Sequence, residues 1–342
     1  MGTVARISCA ALLCIAASAA AVAQSGDDFY RGKDVRVLIG AGPGGTYGLY
    51  TQLATRHMRQ HIPGNPNLVM QNMPGAGGLI ALNYSYSVAP KDGTMMHLIH
   101  SEVLYETLLN KEAKFNAQNF RWIGRFADAD SLILATKKSG LRSLEDVKAK
   151  EATAGATGIA NIYALGPLMM NRLAGTKFKI IGGYKGIADI ILAMERGEVD
   201  SAGMSLAAVQ TQHAEKMKSG EFVPLLAIAA KRIPEFPDVP AFTEFAKGAE
   251  KTLLEIYASN GTIGRALAFP PGVPDNQLRI MREAFHKTLA DPAFQAEVKK
   301  ANIPITPLSG DEIAADIARI LKTPPQEIEA ARKLHESLLQ TK

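Results

Sequence analysis

Two glycine-rich turns, Gly40-Ala41-Gly42-Pro43-Gly44-Gly45 and Pro74-Gly75-Ala76-Gly77-Gly78, each follow a short apolar run and precede a run with helical spacing. Strand, glycine turn and helix in that repeated order give a βαβα rhythm, which implies a parallel sheet joined by crossover helices. The strands are read at residues 35–39 and 68–70 and the helices at 49–61 and 79–88, with Pro63-Gly64-Asn65-Pro66 and Pro90-Lys91-Asp92-Gly93 as breaks. In such a sheet ligands bind beyond the carboxyl ends of the strands, where both turns fall. Residues 35–91 also contain no Asp or Glu. Free backbone N–H groups with no carboxylate nearby outline a receptor for an anion.

A second α/β unit starts beyond Trp122. Its features are an apolar strand at 132–135, a helix opened by Ser143 with Glu145 and Asp146 in its first turn, and the turn Gly155-Ala156-Thr157-Gly158. A helix at 162–173, a strand at 178–181 and Gly183-Tyr184-Lys185-Gly186 before a helix at 187–196 complete it. Toward the C-terminus Pro270-Pro271-Gly272-Val273-Pro274 precedes a helix at 275–290, and Ser309-Gly310-Asp311 opens another.

The first residues carry an export signal: Arg6, an apolar run at 7–20, and the small-residue cleavage pattern Ala21-Val22-Ala23. The run is shorter than the roughly 20 residues of a membrane span, and Ala11-Leu12-Leu13 before Cys14 lacks the small residue of a lipoprotein signal. Residues 1–23 are therefore expected to be removed in a periplasmic product. Both cysteines, Cys9 and Cys14, lie in this signal, so the mature chain is expected to use no disulfide and no thiolate. Taking Arg6 from the 38 basic residues, against 33 acidic ones, leaves a mild +4. The basic residues are scattered and no aromatic platforms accompany them, so nucleic acid is excluded as a partner.

Together these residues resemble the receptors of tripartite tricarboxylate transporters, the Bug receptors. The marks are Gly42-Pro43-Gly44-Gly45 after a strand, Asn72-Met73-Pro74-Gly75-Ala76-Gly77-Gly78, Ala89-Pro90-Lys91-Asp92-Gly93-Thr94, Tyr184-Lys185-Gly186, and Arg196-Gly197-Glu198-Val199-Asp200. Pro237-Asp238-Val239-Pro240 and Pro271-Gly272-Val273-Pro274 complete the order, which runs through most of the mature chain. The resemblance implies an α/β fold of the periplasmic binding protein type II class, two lobes with a ligand cleft between them. It places lobe 1 at 24–126 plus 252–342 and lobe 2 at 127–251, with crossings near 124–128 and 250–257. It also implies a small organic anion, a carboxylate, as solute, membrane permease subunits as partners, a monomer, and no cofactor. Where many members carry an Asp three residues after the paired glycines, this chain has Gly48. That change suggests a more apolar entrance beside Tyr47 and Tyr50, and a solute without an ammonium group, such as an aromatic carboxylate packed on Tyr47.

The expected ligand-binding residues follow from these turns. In the first lobe they are Gly44, Gly45, Thr46, Tyr47, Gly75, Ala76, Gly77, Gly78 and Ser101. In the second they are Thr157, Ile159, Ala160, Asn161, Tyr184, Lys185 and Ser205. Structural roles compete at several of them: Thr157, Asn161 and Ser101 suit helix caps, and Lys185 suits a solvated helix entrance. Gly40 to Gly45 also spells a dinucleotide fingerprint, but the acid-free stretch lacks the ribose-binding carboxylate expected about 20 residues on. His57 and His61 share a helical face with no acidic partner in sight, so no metal site is expected. Gly203-Met204-Ser205-Leu206-Ala207 lacks the second glycine of a nucleophile elbow, and no catalytic machinery is expected. A same-fold receptor feeding a signalling partner is the alternative, with an enzyme of unknown class third.

Overall fold

A computed structural model of the chain describes residues 29–42, 44–111 and 113–340, so the expected export signal lies outside the described residues. β1 (Asp34–Ile39) alternates exposed and buried residues before its last three, Val37 to Ile39, become fully enclosed. α1 (Gly45–His57) follows, then β2 (Asn67–Asn72), α2 (Leu79–Ser87), β3 (Met95–Leu98), α3 (Val103–Leu109) and β4 (Arg121–Arg125). Residues 126–130 lead into a second group: β5 (Ser131–Thr136), α4 (Leu144–Ala149), β6 (Ala152–Gly155), α5 (Ile162–Ala174), β7 (Phe178–Ile181), α6 (Ile187–Arg196), β8 (Ser201–Ser205), α7 (Leu206–Gln212), α8 (Ala214–Lys218) and β9 (Phe222–Ile228). The chain returns through α9 (Gly248–Ile263) to β10 (Ala266–Phe269), α10 (Asp275–Ala290), α11 (Pro292–Lys300), β11 (Leu308–Ser309), α12 (Gly310–Leu321) and α13 (Pro325–Leu339).

The strands form two sheets, ordered β11-β4-β10-β3-β1-β2 and β7-β6-β8-β5-β9. The expected parallel rhythm is present where β1 pairs β2 and β3, and where β6 pairs β7 and β8. Both sheets are nonetheless mixed. β10, arriving after the excursion to the second sheet, inserts antiparallel between β3 and β4, and β5 runs antiparallel to β8 and β9.

Local chemistry explains many element boundaries. Ser143 and Asp146 form a reciprocal capping box at the start of α4, as Ser309 and Glu312 do at α12. Gly175 and Gly197, both in the left-handed region, close α5 and α6. α1 starts four residues earlier than its periodicity suggests, directly at Gly45, and β3 ends at Leu98, so His100 and Ser101 occupy the turn after it.

Three apolar clusters hold the fold. One packs β1 and β10 against α1, α10 and α11 through residues such as Val37, Tyr50, Phe285 and Phe294. A second covers the β5 and β8 face with Ile190 and Met194 of α6. The third runs through both halves, joining Trp122 and Ile317 to Leu165, Leu226 and Leu254. At roughly 25 cal/mol per Å² of apolar surface, burial on this scale is the dominant favourable contribution.

Two expectations are corrected here. Tyr50 is fully buried, with its hydroxyl donating to the Pro304 carbonyl at 2.6 Å, so it belongs to the core and not to an entrance. His57 and His61 do have acidic partners, Glu297 Oε2 at 2.8 Å and Asp291 Oδ2 at 2.9 Å, because α11 and the turn before it pack across α1. Among the described residues no helix is long and apolar enough to cross a membrane.

Candidate functional site

A cavity of about 300 Å³ opens between the two sheets, lined from one side by the β1–α1 turn, the β3–α3 turn and residues 260–265, and from the other by the starts of α5, α6 and α7. α1 presents its N-terminus to this space with no side-chain cap and no acidic residue in its first turn. Its first N–H groups are thus left for a guest or for water.

Arg265 is set by the returning chain. Gly264 turns at φ 53°, where a Cβ would lie 2.1 Å from the Ala127 carbonyl oxygen, and the Arg265 N–H donates to that carbonyl at 2.7 Å. The guanidinium then reaches α1: Nη2 and Nε donate to Thr46 Oγ1 at 2.8 and 3.2 Å, and Cζ lies 4.3 Å from the centre of the Tyr47 ring. Nη1 is enclosed and has no hydrogen-bond partner.

Tyr47 also stacks on His100, ring centres 4.4 Å apart and planes within 19°. Two flat groups at such distances cannot share one ring face, so both faces are occupied. The Tyr47 hydroxyl accepts from the Ser101 N–H at 2.9 Å and donates to Ser101 Oγ at 3.3 Å, which in turn donates to Glu102 Oε2 at 3.0 Å. Burial pushes the Tyr47 phenol up to about 12, the Glu102 charge adding to the rise and Arg265 opposing it. Burial works against ionisation of Glu102 too, but the His100 imidazole and the Ser101 hydroxyl hold its carboxyl below the usual range. His100 Nδ1 lies 3.4 Å from Glu102 Oε2.

The opposite wall is made of Ser131, whose Oγ is 3.3 Å from the Tyr163 hydroxyl, and of Met204 and Ser205. Tyr163 is held against β8 because Gly203 lacks a side chain; a Cβ there would lie 2.2 Å from the Tyr163 ring. Asn260 closes the floor, its Oδ1 enclosed without a partner.

Of the residues expected from sequence, Gly44, Gly45, Thr46, Tyr47, Ser101 and Ser205 line this cavity. The second glycine turn does not: Gly75, Ala76, Gly77 and Gly78 all have positive φ, and Gly78 lies under the His100 ring, where a Cβ would come within 2.4 Å of it. Its visible role is to seat His100 against Tyr47. Thr157, Ile159, Ala160, Asn161, Tyr184 and Lys185 lie on the β6 and β7 loops outside the lining. Asn161 caps α5, accepting from the Tyr163 N–H at 2.9 Å, and Ser205 caps α7 from within the cavity wall. Tyr47 has no free face for an aromatic solute, and Gly48 is buried in α1 away from the lining.

Sequence reasoning missed Arg265, Glu102, Tyr163 and Asn260. One signal was available: Arg265 is the sole charged residue between Glu255 and Asp275, and it immediately precedes a strand. Glu102 adjoins the flagged Ser101. Among the described residues no group of three or more His, Cys, Asp or Glu side chains is placed to hold a metal ion.

Residues 52–323 match the model of the "tripartite tricarboxylate transporter family receptor" family. A UPF0065 protein of Bordetella pertussis is 26% identical over 297 residues, covering 84% of each chain. The periplasmic binding protein BugD shares the fold with a TM-score of 0.65 at 20% identity, over 90% of this chain and 98% of that one. Rpa4515 of R. palustris, solved with adipate, superposes with a TM-score of 0.64 at 17% identity, over 88% of this chain and 97% of that one. Two sheets enclosing a cavity, and a family match through most of the length, lead to one conclusion: the chain belongs to the tripartite tricarboxylate transporter receptor family, whose members are solute-binding receptors and not enzymes.

Proposed function

We propose that this chain is a periplasmic receptor that captures a small organic anion by a carboxylate, within the cavity between the sheets, and delivers it to the membrane permease of a tripartite tricarboxylate transporter. The observation that carries this reading is Arg265, an enclosed guanidinium with Nη1 unpartnered beside the uncapped start of α1. An enclosed cation with a spare N–H is costly until an anion accepts from it, and guanidinium matches carboxylate geometry. The dicarboxylate bound by Rpa4515, a relative in fold, is consistent with this chemistry. The working division of the lobes is 24–126 plus 252–342 and 127–251, and cleavage near Ala23 would release a monomer to the periplasm.

Thermal-shift measurements on the mature chain test the reading. A carboxylate at a hundredfold excess over its dissociation constant stabilises by about 2.7 kcal/mol. In Arg265→Met the same carboxylates are expected to give no shift while the unliganded protein still melts cooperatively. Full shifts in that variant would remove Arg265 from the site, and no shift with any carboxylate in the parent chain would end the proposal.

A further inference from the structure

The cavity wall carries both signs of charge, both set around Tyr47. The Arg265 guanidinium lies over the ring, and Glu102 lies beyond the hydroxyl, linked to it through Ser101. Glu102 lines the cavity, and an ionised carboxylate is an acceptor only. Asn260 adds a second acceptor in the same wall, an enclosed Oδ1 with no partner, while Arg265 Nη1 is an enclosed donor with none. Buried polar atoms are rarely left unpaired, so a wall that keeps an orphan donor and an orphan acceptor is complementary to a guest supplying one of each. A second carboxylate placed at the Glu102 end would instead meet like charge.

We propose that the solute bears, alongside the carboxylate held by Arg265, a hydrogen-bond donor, a hydroxyl or an ammonium, accepted by Glu102 and Asn260, and that these two residues set specificity against plain carboxylates. This rests on the carboxylate-receptor reading of the same cavity. It also lifts the restriction drawn from Gly48, because Glu102 supplies an acidic group that the α1 turn lacks.

Titration calorimetry with two matched series tests it: succinate, malate and aspartate, then propionate, lactate and alanine, in which one hydrogen is replaced by hydroxyl or ammonium. In at least one series the donor-bearing member is expected to bind tenfold or more tighter than the plain acid. A preference for malate or lactate marks a hydroxyl, and one for aspartate or alanine an ammonium. Glu102→Met is expected to shrink the preference below threefold; Glu102→Gln, which removes only the charge, serves if the methionine variant does not fold. Plain acids binding as tightly as their substituted partners would overturn this inference and leave the receptor reading intact, as would a preference that survives the Glu102 substitution. Absence of binding by every member of both series would overturn this inference, and absence of a shift with any carboxylate in the parent chain would overturn both.

Discussion

Tyr47 shows how one side chain organises the cavity wall. Its ring separates Arg265 from His100, and its hydroxyl satisfies the Ser101 N–H that would otherwise be left open at the end of β3. Tyr47→Phe keeps both ring contacts and deletes only the hydroxyl. The cost expected is that of an unsatisfied backbone donor, about 1–3 kcal/mol, read as a lower urea midpoint with an unchanged slope. A variant as stable as the parent would mean that water replaces the hydroxyl there. The arrangement was only half legible from sequence. Thr46 and Tyr47 follow a glycine turn after a strand, so their place at the sheet edge follows from local pattern. Arg265 and Glu102 meet them only through tertiary packing, which no periodicity encodes.

At the scale of elements, what was legible is what local chemistry decides. α10 spans Asp275–Ala290 as its proline stop and apolar spacing predict, and α4 and α12 begin at their capping serines. The mixed sheet order was hidden, since the antiparallel insertion of β10 depends on where a chain returns after more than a hundred residues. The loop before α5 illustrates the same limit: Asn161 looks alike as ligand or as cap until the Tyr163 N–H is seen to donate to it. Asn161→Ala is expected to cost about 1 kcal/mol by loss of the cap and to leave solute affinity unchanged, which calorimetry on the folded variant would check. Gly203→Ala differs in reaching the cavity. Its Cβ collides with the Tyr163 ring, which lines the cavity, so it is expected to lose about 1–3 kcal/mol of stability and to weaken binding as well. Undiminished affinity in that variant would show that the ring yields away from the cavity.

For the whole molecule, the region of interest is the crossing between the sheets, where residues 126–130 run beside Gly261 to Arg265. Phe126 N donates to the Arg265 carbonyl at 3.0 Å, and the Asp130 carbonyl accepts from Leu206 N at 2.8 Å, tying the crossing to both halves. The Asp130 carboxyl faces Gly261 so closely that a Cβ there would lie 2.2 Å from Oδ1. Burial pushes this carboxyl up to about 7, with the Asp128 charge adding to the rise, Arg125 opposing it and Glu235 contributing a smaller push. In the unfolded chain the same group releases its proton near 4. Between these values the folded state holds more protons than the unfolded state, so the stability contributed by Asp130 is full below about 4 and is lost as pH rises through about 7. Asp130→Asn mimics the protonated group at every pH. The variant is therefore expected to melt close to the parent in acid and progressively above it as pH is raised toward about 7, with the gap reaching a plateau on the alkaline side. A gap that stays flat with pH, or that favours the parent in alkali, would mean that the crossing holds an ionised carboxylate comfortably and that Arg125 outweighs burial.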